Sequence, residues 1–384
     1  MIRVLADENM VGLDLLPPGE MDIRTVPGRL ISRDDLKGVD VLWVRSVTEV
    51  SEALVNDSTL RFVGTATAGL EHIDQAALSA RKIDFMAAAG ANANSVVEYV
   101  LASLAELGEP WERLERGETL GVVGCGFVGA LLVSVARSMG WSVKVHDPWL
   151  AQDPGGADEE WTSLAEILEC TVISLHCSLC YDQLWPSYHL IDAQALASLD
   201  GSQWLVNAAR GAVIDNSALL EHLGSENPVN CILDVWEGEP EFNKALVACP
   251  TLKIATAHIA GYSWDAKWQA TQMLYLGVLD TGLVRTLLPP KLNAPNVLEP
   301  VSGIGSDLAR QLIGQRYNIR EDDRQFRSLA TLAIVERAAG FDALRRDYPC
   351  RRELRGSELF FSGPSASQEL TRITQALGVS ALST

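Results

Sequence analysis

No run in this 384-residue chain stays apolar for the roughly 20 residues of a membrane span. No positively charged, then apolar, leader precedes the first strand-like segment at residues 2–6. A soluble, cytoplasmic protein is the expectation. Positive charge is scarce as well: 31 Lys and Arg stand against 50 Asp and Glu, a formal net charge of −19. A phosphate polyanion or an anionic bilayer would be repelled, which argues against nucleic acid and membrane as partners. An anionic small substrate must then be met by individual arginines in a cleft. Nor is there a cysteine framework, because the seven cysteines are scattered and fit a reducing compartment. Cys177 and Cys180 have no second Cys or His pair at a zinc-binding spacing, so no metal is expected.

What the chain does have is a 47% apolar content, ample for two or three globular domains at this length. Strand-like runs at 2–6, 21–26, 39–44, 60–65 and 82–87 alternate with helical or loop segments, the pattern of a small, mostly parallel α/β domain. Ser95 with Glu98 has the form of a capping box. Val97, Val100, Leu101 and Leu104 follow at i, i+3, i+4 and i+7, which predicts a linker helix. Six more strands are expected to begin near Leu120, Ser142, Thr171, Trp204, Cys231 and Leu252. A helical stretch over 264–283 is expected to return to the first domain, so that two crossings form a hinge suited to closure. The expected limits are 1–98 completed by 262–286, then 99–261, then 287–384. After the Leu287-Leu288-Pro289-Pro290 break, helices are expected over 307–316 and 324–338, the latter with Phe326, Leu329 and Ala333 on one face. This tail is expected to oligomerise. Its Arg345, Arg346, Arg351 and Arg352 form a solvated or interfacial face, or alternatively a phosphate site.

Gly124-Cys125-Gly126-Phe127-Val128-Gly129 lies between a strand-like run and an apolar helical stretch, the context a dinucleotide fingerprint requires. Its glycines permit a tight turn, close approach of a pyrophosphate, and close packing of helix on strand. A second strand ends at Asp147, 18 residues beyond Gly129, near the position of a ribose-binding acid. Pro148 and Trp149 follow with no neighbouring cation for a 2′-phosphate, so NAD is preferred to NADP.

Three further clusters each sit behind a strand-like run: Asn207-Ala208-Ala209-Arg210-Gly211, the segment 234–240, and Ala257-His258-Ile259-Ala260-Gly261. Ligands of an open parallel sheet bind beyond the carboxyl ends of its strands. A histidine, with an ordinary pKa of roughly 6.5, suits proton transfer at neutral pH, and a carboxylate beside it fixes its tautomer. His258 is therefore assigned as acid/base with Glu239 as its partner. Arg210 is the carboxylate clamp, and Asp234 an acceptor for the nicotinamide carboxamide.

These residues resemble the Arg/Glu/His signature of the NAD-dependent D-2-hydroxyacid dehydrogenases. The resemblance extends over residues 5–10 with Asp7-Glu8-Asn9-Met10, 44–48 with Ser46, 62–69 with Thr67, 96–100, 233–240, 258–262, and the tail at 341–348. It implies a Rossmann-type doubly wound parallel sheet inserted into a smaller flavodoxin-like α/β substrate domain, plus a C-terminal α+β dimerisation domain. It implies catalysis by Arg210, Glu239 and His258. The cofactor NAD would be faced by Gly124, Gly126, Phe127, Val128, Gly129, Asp147, Cys177, Ala208, Asp234 and Gly261. Ser46, Thr67 and Tyr262 would touch the substrate, a phosphorylated hydroxy acid, and the chain would be a homodimer. The chain departs from the family pattern where His176-Cys177-Ser178 replaces His-Thr-Pro, and where Ala89-Gly90-Ala91-Asn92 replaces a Pro-Gly-Cys-Asn turn. Two other readings stay open: a different phosphorylated hydroxy-acid dehydrogenase, such as one acting on phosphoglycerate, and a non-catalytic NAD-sensing interaction protein.

Overall fold

The computed structural model describes residues 1–67, 69–153, 159–181, 184–288, 296–301, 306–361 and 367–383. Pro289-Pro290 of the expected break, and Ala68 beside Thr67, lie outside these residues. The chain forms two compact units, Met1–Ala93 with Ser263–Ala294, and Asn94–Tyr262 with Pro295–Thr384. Among the described residues no helix is long and apolar enough to cross a membrane.

The first unit holds a parallel sheet of five strands, β1 (Ile2–Asp7), β2 (Met21–Val26), β3 (Val41–Val44), β4 (Phe62–Thr65) and β5 (Asp84–Ala87). Their spatial order is β2-β1-β3-β4-β5. The central strands β3 and β4 are buried along their whole length, as strands covered on both faces must be, and β3 is correspondingly a continuous apolar run. Helix Trp264–Asp280 covers one face, placing Trp268, Leu274, Tyr275 and Val278 in a core with Val4, Trp43 and Phe62.

In the second unit six parallel strands follow the order β11-β10-β9-β8-β6-β7, namely β6 (Thr119–Val123), β7 (Ser142–His146), β8 (Val172–Leu175), β9 (Trp204–Asn207), β10 (Asn230–Leu233) and β11 (Leu252–Ala255). Strand order reverses between β6 and β8, so the loops leaving these two strands diverge and leave a crevice at their carboxyl ends. That crevice lies beside the glycine loop.

Helix Ala93–Leu107 buries Val97, Val100, Leu101 and Leu104 as the periodicity predicts. The capping box does not form, because the helix starts two residues before Ser95 and both capping side chains are taken by tertiary partners. Ser95 donates to the Ala260 carbonyl at 2.7 Å. Glu98 accepts from Asn94 Nδ2 at 2.9 Å and from the Leu354 amide at 2.7 Å. Burial, and next the Glu353 carboxylate, push Glu98 up to about 8, against the opposing Arg351 charge. A carboxyl whose folded pKa exceeds its unfolded value binds more protons when folded, so stability declines as pH rises from about 4.5 to about 8. Glu98→Gln, neutral at every pH, is expected to flatten that decline. Chemical-denaturation midpoints between pH 6 and 9 check it, and slopes identical to those of the parent protein would contradict it.

The tail packs on the nucleotide-binding segment through aromatic rings. Phe326 stacks on Trp236 at 4.9 Å between centroids, lies 4.5 Å from Phe242, and meets Phe341 edge-on at 6.1 Å. Asp323 accepts a hydrogen bond from the Ala255 amide at 2.8 Å, satisfying a donor of the edge strand β11. The single helix expected over 324–338 is in fact two, Ile319–Leu329 and Ile334–Arg346. Phe326 and Leu329 are buried while Ala333 is exposed at the start of the second helix, so the apparent periodicity ran across a break. A small parallel sheet, β12 (Val297–Leu298), β13 (Glu358–Phe361) and β14 (Ser380–Ser383), completes the tail.

The four tail arginines do not make one face. Arg346 is exposed and paired with Asp347, and Arg352 reaches Asn296. Arg351 is buried over the Tyr317 ring, 4.0 Å from its centroid, and donates to Ser95 Oγ and the Ala260 carbonyl. Arg345 turns to Tyr262.

Candidate active site

Each glycine of the fingerprint meets a different demand. Gly124 follows β6 with φ +86°, and a Cβ there would come within 2.5 Å of the Cys177 backbone. Gly129 lies against Gly124 itself, where a Cβ would fall 1.9 Å from its carbonyl oxygen. Gly126 has nothing within 4 Å of its would-be Cβ. The space above Gly126 is thus open where a pyrophosphate would approach. Gly126 also caps helix Phe127–Ser138 without any side-chain bond to the first-turn amides, leaving those donors for an anion. Phe127 is largely exposed and Val128 half-buried on this first turn. Asp147 directly follows β7 and accepts from the Cys125 amide at 2.9 Å, so the expected ribose acid stands against the glycine loop. Burial pushes the Cys177 thiol up to about 12, which keeps it neutral beside the loop. This set of residues fits a dinucleotide.

Arg210 and Ala208 lie in the turn after β9, both half-buried. Asn207 shapes that turn by donating to the Arg210 carbonyl at 3.0 Å and accepting from the Ala209 amide at 3.1 Å. Asp234 follows β10 and is almost fully buried. It accepts from Thr256 Oγ1 at 2.7 Å and from the amides of Ile259 and Ala260 at 2.8 and 2.9 Å. Its own carbonyl receives the His258 amide at 2.7 Å. The loop after β11 is therefore wrapped around one carboxylate, which holds His258 at φ +56°, a backbone region few side chains adopt. Gly261 and Tyr262 close the turn, with the Tyr262 amide on the Ile259 carbonyl.

His258 Nδ1 is hydrogen-bonded to Glu239 Oε1. A carboxylate can only accept in this contact, so Nδ1 carries the proton and Nε2 is the free base. Among the described residues Nε2 has no hydrogen-bond partner. Burial alone would raise Glu239, but the neighbouring His258, the Trp236 amide and the Arg345 charge outweigh it and hold its carboxyl below the ordinary range. The pair consequently survives acidification until pH falls below the usual carboxylate range.

In the first unit, Ser46 is exposed just beyond β3 and Thr67 half-buried just beyond β4, at the carboxyl ends of adjacent strands. Thr67 Oγ1 contacts Thr65 Oγ1 at 2.8 Å, and Thr65 in turn contacts His72 Nε2 at 2.9 Å. Burial lowers the His72 pKa, so the ring is neutral at physiological pH.

A family model for the D-isomer specific 2-hydroxyacid dehydrogenase NAD-binding domain matches residues 106–260, and one described as a domain of unknown function matches 289–378. The chain is 40% identical to "Erythronate-4-phosphate dehydrogenase" of Pseudomonas fluorescens (strain SBW25) over 99% of its length and 100% of the relative's. It is 42% identical to the protein of the same name from Pseudomonas aeruginosa PAO1, over 98% of this chain and 99% of the relative. The chain belongs to the erythronate-4-phosphate dehydrogenase family. Among solved structures, D-lactate dehydrogenase of Aquifex aeolicus, crystallised with NAD and lactic acid, superposes with a TM-score of 0.57 at 20% identity, covering 75% of this chain and all of that one. This likeness speaks to the fold. As a member of this family the chain is an NAD-dependent dehydrogenase.

Several residues that shape the candidate site were given other roles, or none, by the sequence. Asn207 and Thr256 organise loops and carry no chemistry of their own. Ser95, Arg351 and Arg345 reach the His258 loop from distant segments. His189, Asp215 and Glu237 also cluster in this unit. Their carboxylates are already engaged, Asp215 capping helix Asn216–Leu223 and Glu237 binding His189 and the Asn216 amide. The cluster forms a structural hydrogen-bond network.

Proposed function

We propose that the chain oxidises 4-phospho-D-erythronate at C2 to 2-oxo-3-hydroxy-4-phosphobutanoate, a step toward pyridoxal phosphate. The observation that carries the chemistry is the His258–Glu239 pair, with Nε2 free of any partner among the described residues, on a loop at the carboxyl end of a dinucleotide-binding sheet. The substrate choice rests on whole-length similarity to proteins of that name.

Arg210 grips the substrate carboxylate bidentately and polarises the developing C2 carbonyl. His258 Nε2 takes the C2 hydroxyl proton, and the Glu239 carboxylate stabilises the resulting imidazolium. Bound NAD supplies the hydride acceptor. Asp147 accepts the ribose hydroxyls, and Asp234 holds the His258 loop while facing the carboxamide. Ser46, Thr67 and Tyr262 offer hydroxyls to the substrate. Residues 1–98 with 262–286 serve as the substrate part, 99–261 as the cofactor part, and 287–384 as the dimerisation part of a cytoplasmic homodimer.

Nicotinamide absorbance after mixing protein and NAD with 4-phospho-D-erythronate or 3-phosphoglycerate tests the substrate, with a 2-oxo acid acceptor present in case NADH stays bound. Reduction selective for the former is expected. Selectivity for the latter keeps the mechanism and overturns the substrate. Asp147→Ala is expected to lower the preference for NAD over NADP by about tenfold or more, through lost charge-assisted hydrogen bonds. An unaltered ratio of kcat/KM values would contradict the ribose assignment.

A further inference from the structure

Tyr262 is held by the tail. Arg345 Nε donates to its hydroxyl at 3.1 Å, the guanidinium carbon lies 5.4 Å from its ring centroid, and Tyr348 meets the ring edge-on at 6.1 Å and 86°. Tyr348 is itself fixed by a 2.8 Å bond from its hydroxyl to Asp322. Phe341 packs beneath, its centroid 5.8 Å from the Arg345 guanidinium carbon. The arginine is thus anchored by its Nε and by two ring faces. Among the described residues neither of its Nη atoms has an acceptor, and no carboxylate lies within 4.0 Å of it.

That is an unusual state for a half-buried cation in a chain of net charge −19. Half-buried charges are ordinarily paired, because an unpaired one forfeits hydration without recompense. The other three arginines of the 345–352 cluster are committed: Arg346 to Asp347, Arg351 to Ser95 and Ala260, Arg352 to Asn296. Burial works against the Arg345 charge. The Tyr262 oxygen and the Glu239 and Asp234 carboxylates outweigh it, so the guanidinium stays charged. What remains is a rigid, charged fork with both Nη groups uncommitted, one hydrogen bond from a residue four positions beyond His258. A planar fork of this kind is matched to two oxygens of a phosphate or carboxylate.

We propose that Arg345 binds the phosphate of the substrate, making the C-terminal tail a working part of the substrate site. The inference rests on the functional reading above, in which Arg210 already takes the carboxylate end of a doubly anionic molecule. The other end then needs its own cation, and specificity for phosphorylated over plain hydroxy acids resides in the tail.

The test compares kcat/KM for 4-phospho-D-erythronate and for D-erythronate in the full-length parent protein, Arg345→Gln and Arg345→Lys. The expected result is a 10- to 100-fold fall in the preference for the phosphorylated acid in Arg345→Gln, the range for a lost charge-assisted hydrogen bond. A smaller fall is expected in Arg345→Lys, which keeps the charge and loses the fork. An unchanged preference, with both substrates slowed equally, would overturn the proposal and make Arg345 a positioning residue for Glu239 and His258. If neither acid is turned over, the functional reading has failed by itself, and calorimetric titration with inorganic phosphate still decides. Weaker binding to Arg345→Gln than to the parent supports the proposal, and equal binding overturns it.

Discussion

His258→Asn is expected to lower kcat by about a thousandfold, within the range for loss of a positioned general base, while the dissociation constant for NAD stays within about twofold. Asparagine suits the test because it tolerates the left-handed backbone that His258 occupies at φ +56°. Its side-chain amide can still donate to Glu239, so the loop wrapped around Asp234 should keep its shape. What asparagine cannot do is accept the hydroxyl proton. Stopped-flow kinetics and fluorescence titration with NADH separate the two effects. Loss of NADH binding would show that His258 shapes the cofactor site, and an unchanged kcat would remove it from the reaction.

Substitutions at two glycines three residues apart are expected to fail in opposite ways. Gly129→Ala puts a methyl 1.9 Å from the Gly124 carbonyl oxygen and 2.9 Å from its carbon, both backbone atoms that cannot rotate away. Helix Phe127–Ser138 must move off the strand, with a stability loss of about 1–3 kcal/mol or more and loss of NAD binding. Gly126→Ala meets no atom within 4 Å, and its φ of −72° is open to any residue. The thermal midpoint should stay where it was. The methyl, however, occupies the approach of the pyrophosphate, so KM for NAD should rise about tenfold or more, the equivalent of roughly 1.4 kcal/mol. Normal NAD affinity in a stable Gly126→Ala protein would place the pyrophosphate elsewhere.

The positions of the strands and of the candidate site loops were legible because parallel, doubly covered strands are short apolar runs, with ligands bound beyond their carboxyl ends. β8, β9 and β10 begin within one residue of the expected starts at Thr171, Trp204 and Cys231. His258, Glu239, Arg210 and the glycine loop each follow such a run. The tail was harder. Its helices are polar on most faces, and Phe326, Leu329 and Ala333 kept a helical spacing across a real break. Ser95 and Glu98 satisfied the letter of a capping box, but the side chains found partners at Ala260 and Leu354, 165 and 256 residues away. Local sequence cannot reveal such competition. The arginine cluster shows the same limit. Four similar charges in eight residues suggested one face, whereas burial, ring stacking and long-range carbonyls divided them among separate tasks.

Direct hydride transfer from C2 of the substrate can be followed by isotope tracing. Protein, NAD and C2-deuterated 4-phospho-D-erythronate are mixed, and the reduced cofactor is examined by mass spectrometry. The expected product is NADH one mass unit heavier, with the deuterium on the nicotinamide ring. Unlabelled NADH, or no reduction by a protein that demonstrably binds NAD, would contradict it.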